Sequence, residues 1–210
     1  MGPGEWIVIA LSVVLIGWFL FGSSYSQNRQ KALFQKFALV LKDHGKFSPI
    51  KYLDPASFQV RFTPTDQDIP FRMMEFSFLM ERRENLLLWL VQRAGGKRDN
   101  ILINANAEHS PVLEIHAVSP EEDHAIQLFN QNEKIPFTHL SDIGRMKIYT
   151  RGGDVIPDAW QAYLKEHHAE LLRISFQQKP PHFCYYAPLS SQGVEDPLSL
   201  IHELAKLVEK

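Results

Sequence analysis

The chain has 210 residues, a formal net charge of −2 and 45% hydrophobic residues. That balance argues against a strongly basic nucleic-acid binder, DNA-binding included, and against an acidic disordered tail. With a single cysteine, Cys184, no intrachain disulfide can form, which agrees with a reducing compartment.

Residues 6–22 (WIVIALSVVLIGWFLFG) carry no charge and one hydroxyl, Ser12. As a helix rising about 1.5 Å per residue they cover roughly 26 Å, the short end of a bilayer span. Trp6 stands at one end, with Trp18, Phe19 and Phe21 toward the other, the placing of two interfacial aromatic belts. The run is apolar on every face, which suits lipid better than a protein core. A cleaved signal peptide would want a basic region ahead of the run, and 1–5 has no Lys or Arg. Downstream, Arg29, Lys31, Lys36 and Lys42 follow closely. The positive-inside rule then predicts an outside N-terminus and a cytoplasmic C-terminal domain. Ser12 and Gly17 are the span's candidates for close helix packing. The expected division is an anchor over 1–24, a connecting amphipathic helix over 25–44 and a cytosolic domain over 45–210.

The helix is expected to continue over 23–43. Leu33, Phe34, Phe37, Ala38, Val40 and Leu41 recur at three- and four-residue steps and form a face able to pack on the domain. His44-Gly45 is a stop signal. Strands are predicted over 51–53, 57–63 and 71–80, the second from the alternation of Phe58, Val60 and Phe62 with Gln59 and Arg61. The Leu-rich stretch within 83–94 suits a buried strand or a buried helix. Its Leu content and the following Gly95-Gly96 favour helix. Strands follow over 100–105 and 112–118. Ser119-Pro120-Glu121-Glu122 opens a helix to about 129. Further elements are a strand over 146–150, a helix over 154–171, strands over 173–177 and 182–187, and a final helix from Asp196-Pro197 to 208. Strands outnumber helices and are closely joined. The fold class is α+β: one N-terminal transmembrane helix, then a mostly antiparallel sheet covered by helices on one side. Two similar subdomains splitting near 137–144 are a variant of it.

Signals for chemistry are sparse. Gly95-Gly96-Lys97 lacks the setting of a phosphate-binding loop, and no G-x-S-x-G occurs. His167 and His168 are adjacent and so point to different helix faces. His182 and Cys184 share a strand face but would need further ligands to hold zinc. The 121–124 run of Glu121, Glu122, Asp123 and His124 suits the first turn of a helix. No cofactor or metal is expected. One charge feature points to a partner. Arg82, Arg83, Arg93, Lys97 and Arg98 bracket the Leu-rich segment against Glu81, Glu84 and Asp99. Such a cluster suits anionic lipid headgroups or ribosomal RNA phosphates, or else a solvated rim around a buried helix.

Two blocks carry a family resemblance. The first is Arg83-Glu84-Asn85-Leu86-Leu87 leading the Leu-rich helix, with Arg98-Asp99-Asn100-Ile101-Leu102-Ile103 as the next strand. The second is Leu172-Arg173-Ile174-Ser175-Phe176, a proline-containing gap, the 183–188 stretch and a Pro197-Leu198 helix start. These blocks, behind a single membrane helix, resemble the cytosolic domain of the calumin family. Those are coiled-coil-domain proteins of the endoplasmic reticulum that form an intramembrane chaperone at the multipass translocon. The resemblance implies a non-enzymatic scaffold or assembly factor near a translocon or insertase. No stretch matches the family's basic ribosome-reaching coiled coil. A ribosomal RNA contact is therefore expected, if at all, only through the basic segment 82–98. The short segment ahead of the span and the compact loops fit a prokaryotic relative. The rival expectations are a membrane-tethered enzyme, with a deep pocket of converging polar groups, and a lipid- or ligand-binding module, with a basic concave face near the membrane.

Overall fold

One helix, α1 (Pro3–Leu41), runs without a break from the apolar segment into the folded domain. This computed structural model describes residues 2–111, 113–124, 126, 136–153, 155–190 and 196–208. α1 is long and apolar enough to cross a bilayer, and its large side chains from Trp6 to Ile16 are all exposed. The second half changes character. Gly22, Ser26, Gln30, Phe37 and Leu41 are buried, and Leu33 packs partly against the core. Those positions recur every three or four residues, so a single stripe of the helix faces the domain.

The described strands form one ten-stranded sheet. They are β1 (Gly45–Phe47), β2 (Lys51–Tyr52), β3 (Phe58–Pro64), β4 (Phe71–Leu79), β5 (Asn100–Ala107), β6 (Glu114–Val118), β7 (Thr138–Ile143), β8 (Met146–Arg151), β9 (Arg173–Phe176) and β10 (Phe183–Pro188). The order across the sheet is β1-β3-β4-β5-β10-β9-β6-β8-β7, with β2 paired to β3. Each pairing is antiparallel. The chain halves interleave. β6 precedes the 137–144 stretch yet lies between β9 and β8, so a division there does not divide the sheet.

Period-two alternation sets the two faces. On β3, Phe58, Val60 and Phe62 are buried against Gln59 and Arg61; on β5, Ile101, Ile103, Ala105 and Ala107 are buried. Three helices cover that apolar face: the end of α1, α3 (Asp158–His167) and α4 (Pro197–Lys206). Phe37 meets Phe78 edge-on at 4.9 Å and Phe76 at 5.5 Å, while Phe58 stacks on Phe78 at 4.5 Å. Such aromatic pairs add to the area they bury. From α3, Trp160 Nε1 donates to Leu207 O at 3.2 Å, joining the two C-terminal helices. Asp196 accepts at the N-terminus of α4 from Leu198 and Ser199 amides, the cap expected there.

The structure carries the α+β class and the mostly antiparallel sheet. It differs in detail. β1 and β7 were not expected, being short edge strands without a strong apolar alternation. The helix expected over 154–171 is shorter, Asp158–His167, because Pro157 forms its N-cap; Asp154 lies outside the described residues. Of the helix expected over 119–129, the described residues show a turn over 120–122 and helical residues at 123, 124 and 126, while 125 and 127–129 lie outside the described residues. β6 is buried on both faces, which a single helical layer would not do. On its second face Val118 packs with Ile126, Phe137 and Tyr149.

Candidate functional site

The connection from β4 to β5 carries a short helix, α2 (Leu86–Ala94). Asn85 starts it: the side-chain oxygen accepts from the Leu88 amide at 3.0 Å. Gly96, at φ 78°, ends it in the left-handed conformation. Asn85→Ala is therefore expected to cost about 1 kcal/mol of local stability. Amide exchange along 86–94 should speed up while the sheet core keeps its protection.

The Leu-rich segment is a helix, as its composition favoured, but it is not buried. None of its residues is buried, and Leu87 and Val91 are 67% and 70% exposed. Leu88 and Leu90 are exposed beside them. Leu86, Trp89 and Gln92 turn toward the body. The reason is the partner available. α2 is laid against the apolar part of α1, and not against the sheet. Leu86, Leu87 and Leu88 line a groove with Leu15 and Phe19 of α1. The Trp18 and Trp89 rings lie 5.4 Å apart, and Trp18 Nε1 donates to Arg83 O at 2.7 Å. A Cβ on Gly22 would collide with Arg83 O, so the 81–84 segment sits directly on the α1 backbone there.

Behind α2 is a cavity of about 550 Å³ lined by Tyr25, Arg29, Arg83, Trp89, Arg93 and Arg98, with Glu81 and Asp99 at its base. Asp99 is the hub. It accepts from Arg83 Nη2 at 2.8 Å and from the Glu81 amide at 2.8 Å, and it pairs with Arg29 Nη2 at 2.9 Å. Glu81, 1% exposed, accepts from Trp89 Nε1 at 3.1 Å and lies 3.7 Å from Arg93. Arg83 also lies over the Tyr25 ring, 5.3 Å from its centre. The network ties α1, the end of β4, α2 and the start of β5 into one unit. Four guanidinium groups face two carboxylates, so the cavity stays net positive. The Arg83 Nη1 and Arg29 Nε donors are buried without a protein partner.

The expected basic residues thus divide. Arg83, Arg93 and Arg98 meet in the cavity. Arg82 turns away toward Asp54, 3.7 Å distant. Lys97 lies in a neighbouring polar cleft of about 590 Å³ with Glu121, Glu122, Arg145 and Glu170, which Arg98 also borders. Both openings are at the same end of the sheet. Ser12 and Gly17, the span's candidates for close helix packing, are both exposed and lie roughly 140° apart around the helix. The Ser12 hydroxyl donates to Val8 O within its own helix at 2.8 Å, and a Cβ on Gly17 would meet nothing. Within the chain, a close approach is made at Gly22, further along the helix. Trp18, Tyr25, Arg29 and Trp89 were missed as site residues. The available signal was the Gly22, Ser26, Gln30 spacing in an otherwise polar stretch.

No protein-family model matches this chain, and no curated protein does. The site therefore rests on its own geometry. Among the described residues no group of three or more His, Cys, Asp or Glu could hold a metal ion. His182 Nε2 faces Ser110 Oγ at 3.4 Å. The Cys184 thiol is pushed up by burial, which keeps it protonated. His116 is buried beneath Phe137, with ring centres 4.4 Å apart. Burial, with Arg173 and Arg151 nearby, lowers its pKa to about 3.

Proposed function

We propose that this protein is a single-pass membrane-anchored scaffold, not an enzyme, that holds its sheet domain at the cytoplasmic face and assists other membrane proteins beside a translocon or insertase. The observation that carries this reading is the continuity of α1. An apolar segment long enough to cross a bilayer passes directly into a helix whose next turns are built into the domain core. A domain on a flexible linker would sample many orientations; this one is fixed to the axis of its anchor by the Trp18–Trp89 contact and the Asp99 network. Fixed placement serves a binding protein that must meet partners in the membrane plane. Cleavage near Gly22, as in a signal peptide, would strip α2 of its Trp18 contact. The basic residues Arg29, Lys31, Lys36 and Lys42 support the cytoplasmic side. The resemblance to the calumin family, in the 83–103 and 172–198 blocks, supports the assignment to membrane-protein assembly.

Photocrosslinking in native membranes tests it. A benzophenone side chain at Gly17 is expected to capture translocon or insertase subunits, or newly made membrane proteins. The same group at Val155, exposed on the domain, is expected not to. Lipid-only adducts at Gly17, together with small-molecule turnover by the purified protein, would replace the scaffold with a tethered enzyme.

A further inference from the structure

We infer that α2 is a second membrane contact: its leucines enter the acyl boundary of the leaflet that α1 leaves, and the arginine cavity behind it takes the phosphate of an anionic phospholipid. The inference rests on α1 being inserted in a bilayer, as proposed above, and goes beyond it by naming a lipid site.

Depth is the first argument. If the apolar run ends at Gly22, Tyr25 lies about 4.5 Å and Arg29 about 10 Å further along the axis. The headgroup layer on each side of a roughly 30 Å hydrocarbon core is about 5–8 Å thick. Tyr25 therefore stands at headgroup level and the Arg29 backbone just outside it, with its side chain tilted back toward the membrane as helix geometry directs, while Leu87 and Leu88 stand beside Leu15 and Phe19, at acyl level. Exposure is the second. Leu87, Leu88, Leu90 and Val91 form an apolar patch that water disfavours, and it is continuous with the exposed apolar surface of α1. The solvent that covers Leu15 and Phe19 also meets Leu86, Leu87 and Leu88, with Arg82, Glu84 and Asn85 at the polar edge of the same groove. A short apolar helix flanked by Arg82, Arg93, Lys97 and Arg98 has the make-up of a helix lying in the interface plane. The third argument is charge. The cavity holds four guanidinium groups against two carboxylates, and the donors Arg83 Nη1 and Arg29 Nε within it have no hydrogen-bond acceptor, nor has the Glu81 Oε1 acceptor a donor. A phosphate offers several acceptor oxygens with the geometry guanidinium prefers. Trp89 lines the cavity and lies against Trp18, and tryptophan favours that same layer.

The test places nitroxide labels on full-length protein in vesicles of phosphatidylcholine mixed with phosphatidylglycerol. Val91→Cys and Leu87→Cys report α2, Val13→Cys reports the span and Leu39→Cys reports water. All four positions are exposed and Cys184 is buried, so labelling is selective. The α2 labels are expected to match Val13, accessible to oxygen and shielded from an aqueous nickel chelate. If they match Leu39 while Val13 remains in lipid, the inference falls and the anchor stands. If Val13 itself is aqueous, the anchor falls first. For the phosphate site, native mass spectrometry from micelles compares retention of phosphatidylglycerol and phosphatidylcholine. Preferential retention of phosphatidylglycerol is expected, with a loss of about thirtyfold in R93Q/R98Q, roughly fivefold per guanidinium. Equal retention of the two lipids, or displacement of phosphatidylglycerol by inorganic phosphate, would overturn the lipid assignment.

Discussion

Asp99→Ala is expected to destabilise the full-length protein by about 3–5 kcal/mol, read as a lowered unfolding midpoint in detergent micelles. Asp99 is 7% exposed and holds two arginines and a backbone amide. Removing it leaves the largely buried Arg83 with only its longer 3.4 Å contact to Glu81, and the half-exposed Arg29 without its carboxylate. The loss arises from those unpaired charges and not from the attraction alone. The same network supplies a contrast. Arg93 is 62% exposed and 3.7 Å from Glu81, so Arg93→Ala is expected to change stability by less than about 1 kcal/mol. Equal effects of the two substitutions would mean that the cluster is a loose surface assembly and not a lock on α1.

A second large effect is expected on acidification. His116 sits in the middle of β6 with neither ring nitrogen hydrogen-bonded. Burial, with Arg173 and Arg151, lowers its pKa from 6.5 to about 3. Between those two values the unfolded chain binds a proton at this histidine and the folded chain does not. Stability from this group is thus complete above the ordinary histidine pKa and falls as pH drops below it. At pH 5 the loss amounts to about 2 kcal/mol, and it continues toward pH 3. His116→Phe keeps an aromatic ring against Phe137 and removes the titration. Its unfolding midpoint is expected to stay flat between about pH 6.5 and 4.5, where the parent declines. Parallel pH profiles would place the acid sensitivity elsewhere, the depressed carboxyl of Asp123, bonded to Lys147 and Tyr149, being the first alternative.

The α+β class and most strands were legible because they follow local patterning. Phe58, Val60 and Phe62 alternate, and Phe37 and Leu41 fall on one helical face, so burial could be assigned residue by residue. What failed was the environment of α2. Leu86 to Val91 has the composition of a core element, and composition does not distinguish a protein interior from any other apolar surrounding. The difference lies in where the β4–β5 connection projects, and that depends on the sheet end facing the apolar turns of α1. The cavity was half legible. Arg83, Arg93 and Arg98 stood out as a basic cluster. Arg29 is distant in sequence and joins them only because Gly22 and Ser26 let α1 lie against the 81–84 segment. Gly22, unlike Gly17, is met by another backbone segment of the same chain, and that meeting depends on the fold and not on the local pattern.

The interleaved strand order also bears on biosynthesis. Ile103 pairs with Tyr185 and Ala117 with Ile174, so the centre of the sheet is made from segments translated far apart. At ribosomal speeds β5 exposes an open edge for on the order of ten seconds before β10 emerges. α1 is complete long before then. If it partitions into lipid as it leaves the ribosome, the domain must finish folding with one end already fastened. Its late strands then close the sheet over a helix that can no longer move away.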